Sequence, residues 1–190
     1  MIDQCCSRVR NDEYAPMIID IKIVLDAAPF RQHYPNLSQN HLTPTEIEQE
    51  EAFVVAAPEQ NVYRHASDKL ELVAGKWDML RWHVGLTAGD VFHVILYRII
   101  AEPTGVQLTT IPEMVLKLRS FPVPDMADPT RYTESQRVDA YFQCEVEGYG
   151  TQCYRLLFYI VERNEVDGSF NTVGYFSWKS MIVIREPQDS

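Results

Sequence analysis

From Met17 onward the chain is cut into short runs in which apolar and polar residues alternate, and this period of two constrains the fold more than any other feature. In "MIIDIKIVL", Ile19, Ile21, Ile23 and Leu25 share one face while Asp20 and Lys22 take the other. That is the pattern of a half-buried strand. Similar runs are "AFVVA" from Ala52, "KLELV" from Lys69, "DMLRWHV" from Asp78, "VFHVILYRI" from Val91, "VQLTTI" from Val106 and "MVLKLRSF" from Met114. The chain closes with "RVDAYFQCEVE", "TQCYRLLFYIVER", "TVGYFSW" and "SMIVIRE". About nine or ten short strands with turn signals between them and little helix predict an all-β fold, an antiparallel sandwich or barrel, with a β-sandwich of the jelly-roll or Ig-like kind as the leading expectation.

One helix and two loops interrupt the strands. "TPTE" sets Thr43 as an N-cap, Pro44 at the first helical position and Glu46 at the third, which predicts one short helix ending before Ala52. Two long loops are expected at 26–51 and 122–136, stiffened by Pro29 and Pro35 in the first and by Pro122, Pro124 and Pro129 in the second. "TAGD" at 87–90 reads as the turn of a hairpin. A chain of 190 residues suits one domain. The expected division is a flexible tail at 1–16, a single sandwich domain at 17–186 and a C-terminal tail at 187–190.

The net charge of −10 repels phosphate backbones and anionic lipid, so neither nucleic acid binding nor membrane insertion is expected. The first residues, "MIDQCCSRVRNDEYAP", hold no apolar run of the secretory kind. The longest apolar stretch, "VFHVILYRIIA", is about half of what a bilayer needs. The expected compartment is the cytoplasm, with non-Sec export left open.

The stretch "CEVEGYGTQC" bears on the same question. If Gly148-Tyr149 is a two-residue turn, Cys144 and Cys153 face each other across a hairpin, within disulfide reach. A reducing compartment argues for two free thiols, packed as small hydrophobes. A metal site would need further ligands, and no histidine lies nearby in sequence.

No chemistry-bearing motif emerges. There is no nucleophile elbow, no metal-ligand spacing and no phosphate-cradling glycine loop, so no catalytic residue, metal or cofactor is assigned. His83 and His93 are placed to meet across the 87–90 hairpin, most simply as a pair of sheet histidines. Aromatic residues are the more suggestive feature. Trp82 alternates with Leu80 and Val84 and reads as core. Trp77 and Trp178 sit near strand ends and read as the more exposed rings. With Tyr175 and Arg81 they form the candidate ligand-binding set, since flat rings with polar neighbours suit a sugar. Packing between two sheets is the competing reading of the same rings.

Several segments together resemble the AidA/PixA group, the bacterial inclusion body family: "IIDIKIVLDA" with "YPN" at 34–36, "KLELVAGKWDMLRWHVGLT" with its Arg81-Trp82 pair, "VILYRI" at 94–99 and "GYFSW" at 174–178. The resemblance spans Met17 to Arg185. It implies a small soluble bacterial protein linked to cell-density control or host association, some relatives forming crystalline inclusions. It supplies no catalytic residues. Inclusion-forming members are methionine-rich, whereas this chain has 6 Met, which points away from sulfur storage. The leading expectation is a non-enzymatic binding module, with a glycan or host factor as partner. The alternative is a self-assembling inclusion protein. A homo-oligomer is expected in either case.

Overall fold

The first alternating run forms as its pattern dictates. Strand β1 (Ile18–Leu25) buries Ile19, Ile21, Ile23 and Leu25 completely and turns Asp20 and Lys22 outward. The computed structural model describes residues 15–26, 33–48, 52–57, 62–65, 69–86, 91–103 and 107–188. Most of the expected tails, the residues 87–90 and Cys5 and Cys6 lie outside them.

Ten further strands follow: β2 (Thr45–Glu46), β3 (Ala52–Ala57), β4 (Val62–His65), β5 (Lys69–Val73), β6 (Met79–Leu86), β7 (Phe92–Ala101), β8 (Glu113–Pro124), β9 (Tyr132–Glu145), β10 (Gly150–Arg163) and β11 (Phe170–Arg185). They form two sheets. One is ordered β3-β1-β6-β9-β8 and the other β4-β5-β11-β10-β7, with β2 also paired to β11. The all-β sandwich is the observed architecture. The sheets are mixed, however, because β1 pairs with β6, and β11 with β5 and β2, in parallel. Successive strands often change sheet, and a chain that crosses the sandwich before returning can lie parallel to an earlier strand.

Between the sheets lies one apolar core. Trp82, Trp178, Tyr154, Phe158 and Phe176 are its largest fully buried side chains. Phe158 and Phe176 stack with ring centroids 5.6 Å apart, and Trp82 leans on Tyr154 at 5.1 Å. Inside it, the Tyr154 hydroxyl is 2.8 Å from Thr109 Oγ1 and donates to Gln152 Oε1, so the phenol is satisfied.

Three expectations are corrected. The short helix is not formed: Thr45 and Glu46 pair with Phe176 and Ser177 of β11, and the Ile47 amide donates to the Ser177 carbonyl. The upper edge of β11 would otherwise be left with unmatched backbone, and that demand outweighs a local capping signal. The second long loop shrinks to residues 125–131, because β8 and β9 stay in register out to Pro124 and Tyr132. Prolines 122 and 124 are tolerated there because β8 is an edge strand. Finally, "TVGYFSW" and "SMIVIRE" are one strand. Trp178, Ser180, Ile182 and Ile184 keep one phase, so nothing turns the chain between them.

Candidate functional site

The predicted ligand residues are not brought together. Trp178 is fully buried, pointing into the core from β11, which corrects the expectation that it is an exposed ring. Near a strand end in sequence, it sits mid-strand in space. Trp77 is half-buried in the turn before β6, with a left-handed backbone (φ 72°). Asp78 clamps that turn, its carboxylate accepting from the Gly75 and Met17 amides at 2.7 Å each. Arg81 and Tyr175 lie on opposite outer faces of the sandwich.

The two cysteines do not face one another either. Cys144 lies opposite Leu80 in one sheet and Cys153 opposite Met181 in the other. "EGYG" is therefore a crossing between sheets rather than a hairpin turn. Amides of Glu147 and Gly148 both donate to the Leu108 carbonyl, which pins the crossing. Alternation tells which face of a strand is apolar; it cannot tell whether two apolar faces share a sheet or oppose each other across the core. Both sulfurs are free thiols here. Burial pushes the Cys144 thiol up to about 11, offset only in part by the Trp82 and Thr109 side chains beside it. His83 and His93 likewise belong to different sheets.

Tyr175 belongs to an aromatic cluster on the outer face of the β11–β10–β7 sheet. It lies 5.5 Å from Tyr159, 6.0 Å from Tyr97 and 6.0 Å from His41. The Tyr97 hydroxyl donates to the His41 carbonyl, so this cluster seats the segment before β2. That is a packing task, and it explains why the rings are only partly exposed.

Arg81 belongs to a charged belt across the outer face of the other sheet. Its Nε lies 3.4 Å from Asp20 Oδ1, which is also 3.3 Å from His83 Nε2. His83 Nδ1 faces Asp139 at 3.9 Å, and Asp139 pairs with Arg119 Nε at 3.1 Å. Tyr141 lies under the belt, with the guanidinium carbons of Arg81 and Arg119 at 5.5 and 5.9 Å from its ring. Neither Arg Nε–H is aligned for a hydrogen bond within the protein. Over the belt opens a cleft of about 540 Å³, whose far walls include Lys22, Arg137, Phe121 and Val55. The belt could not have been read from the sequence, because its members come from four strands that only the sheet order places side by side. A larger cleft of about 720 Å³ lies at the end of β7; two of its polar walls are engaged internally, since Arg155 grips Glu102 and Gln152 accepts from the Leu108 amide.

The β8–β9 hairpin is the other distinctive surface. The ladder between β6 and β9 stops at Trp82–Phe142, while β8 and β9 continue outward as a two-stranded arm. Alternation persists along the arm with little left to cover it. Met114, Leu116, Leu118 and Val138 are 48%, 67%, 60% and 61% exposed, on the face that carries Phe142 into the core. Among the described residues, no three metal-ligating side chains converge, and no helix is long and apolar enough to cross a membrane.

A two-sheet β-sandwich with an apolar arm and a charged outer belt is the class of protein that these features define. The family model for PixA, inclusion body protein, matches residues 17–184, and the chain belongs to this inclusion body protein family. The crystal structure of an inclusion body protein (PixA) from Burkholderia cenocepacia J2315 superposes with a TM-score of 0.76 at 19% identity, over 93% of this chain and 100% of that one, and so shows a shared fold. The cysteine protease inhibitor EhICP2 from Entamoeba histolytica aligns at a TM-score of only 0.26 and 14% identity, over 62% of this chain and 86% of that one, too little to carry an argument. Comparison with curated proteins returns no match.

Proposed function

We propose that this chain is a self-assembling, non-catalytic protein of the inclusion body family, which works in the cytoplasm by accumulating and packing against copies of itself. The observation that carries this reading is the apolar face of the β8–β9 arm, a contiguous exposed patch on an otherwise acidic molecule. Contiguous patches of this kind mark interaction sites. The family's description as inclusion body proteins agrees with it. Light scattering and electron microscopy of the purified protein over a concentration series test the proposal. Growth of ordered assemblies with concentration is expected; a monomer that persists up to the solubility limit would overturn it.

The belt and its cleft favour a second reading, a polar or glycan ligand in host association. Arg81 and Arg119 offer donors around a tyrosine ring, as a hydroxyl-rich ligand requires. This reading ranks second because Trp178 is core and Tyr175 lies on the opposite face. A glycan array read with wild type and Arg81→Ala decides it: hits sharing one sugar and lost in the variant support it, and a blank array removes it.

A further inference from the structure

Strand β8 is the outermost strand of its sheet, bonded to β9 on one side along all 12 residues with no shift of register. Edge strands are normally blunted by bulges, brevity, proline or charged side chains such as lysine, because a row of open N–H and C=O groups templates another strand; β8 has one lysine, Lys117, whose side chain lies on the face opposite Leu116 and Leu118. This one has prolines at its ends: Pro112 precedes it, and Pro122 and Pro124 close it. Between them, Glu113–Phe121 is a stretch of nine residues in which every backbone N–H is present.

We infer that two copies of this chain join edge to edge through β8, antiparallel, with Leu116 on the two-fold axis. The inference rests on the self-assembly reading above and names its interface. The register follows from self-complementarity. Pairing about Leu116 sets Met114 opposite the second copy's Leu118, Val115 opposite its Lys117 and Glu113 opposite its Arg119. One face is then wholly apolar, and an opposite-charge pair closes each end of the other. In the single chain Arg119 leans inward, its Nε 3.1 Å from Asp139 and its guanidinium carbon 5.9 Å from the Tyr141 ring, both on β9, so the pair with Glu113 requires its fork to turn toward the open edge.

Neighbouring registers fail on the same criteria. Centring on Lys117 sets lysine against lysine, and centring on Leu118 sets Lys117 against Arg119; like charges directly opposite are destabilising. Centring on Val115 sets Leu118, within the apolar face, against Pro112, which has no N–H to give; centring on Leu116 moves that mismatch out to Ser120 at the end of the ladder. A shift by a single residue turns the apolar face of one copy to the charged face of the other. An unrelated partner strand would give β8 no reason to complement itself, and this identifies the occupant as a second copy. The two five-stranded sheets would become one continuous sheet of ten, in which Met114, Leu116 and Leu118 of both copies lie side by side and pack laterally on one face.

Cysteine cross-linking tests the register. In a Cys5→Ser/Cys6→Ser background, Leu116→Cys is expected to give a disulfide-linked dimer on mild oxidation, since residues directly opposite in an antiparallel pair lie within disulfide reach. Leu118→Cys alone should not, and Met114→Cys/Leu118→Cys together should. Sedimentation velocity is run beside it on wild type and Leu116→Lys, whose folding is checked by circular dichroism. Loss of the dimer in a folded Leu116→Lys variant is expected. Equal cross-linking at 116 and 118 overturns the register. Association that survives Leu116→Lys without cross-linking at 116 overturns the interface and leaves self-assembly standing. A wild type that never associates removes both.

Discussion

Single residues show how position in sequence and position in space part company. Trp178 stands near the end of a motif, yet its ring is wholly enclosed between the sheets. Trp178→Ala should therefore cost about 3–5 kcal/mol of stability, the range for truncating a large core aromatic. Urea denaturation would measure it, and a loss below 1 kcal/mol would contradict the burial. The cysteines differ for the same reason. With its thiol pushed up to about 11 and its side chain enclosed, Cys144 is expected to resist alkylation in the native protein. Cys153, on the outer face of β10 and partly exposed, should react first. Mass spectrometry on timed iodoacetamide quenches would show Cys153 labelled early and Cys144 only after denaturant is added.

At the scale of elements, the informative contacts are those that seat one segment on another. Gly174 of β11 lies under Leu37 and Ser38: a Cβ there would come within 3.0 Å of the Leu37 Cβ and 3.4 Å of the Ser38 carbonyl oxygen. Gly174→Ala should push this segment outward, strain the Tyr175–Ser38 hydrogen bond and cost about 1–3 kcal/mol. Faster hydrogen exchange at the Tyr175 and Ile47 amides would report it. A second clamp ties β5 to β11. Lys69 and Arg185 both hold Glu71 at 2.8 Å, Lys69 most strongly, and lower its carboxyl to about 2. A depressed carboxylate stabilises the fold above its unfolded value and loses that contribution as pH falls through the folded one. Glu71→Gln should therefore be less stable than wild type at neutral pH, with the gap narrowing as pH approaches about 2. A gap that is constant across thermal melts from neutral to acid would contradict this.

At the scale of the whole molecule, the opposing terms are a net charge of −10 and an apolar arm. Copies repel at long range and attract only at contact. Salt screens the first over a Debye length of about 10 Å at 0.1 M and leaves the second in place. Self-association should accordingly strengthen as salt is raised from low ionic strength, and again as pH falls toward the isoelectric point near 4.9. Sedimentation velocity across a salt series would check the sign; dissociation on adding salt would mean that charge pairs, rather than the apolar face, dominate the contact.

The sequence by itself determined the class of fold and most of the core. A period of two can be satisfied only by strands with one buried face, and Ile19, Ile21, Ile23, Leu25 and Trp82 fall where that period puts them. Tertiary structure alone decided which strands share a sheet. Periodicity fixes the face of each strand but not its neighbour, so the "EGYG" crossing resembled a hairpin and the belt of Asp20, Arg81, His83, Asp139 and Arg119 could not be assembled in advance. It also decided which apolar faces stay open. Leu116 and Leu118 alternate as cleanly as the residues of β1, and only the arm's reach past the opposing sheet leaves them uncovered. Burial is a property of what lies opposite, and an alternating sequence does not say what that is.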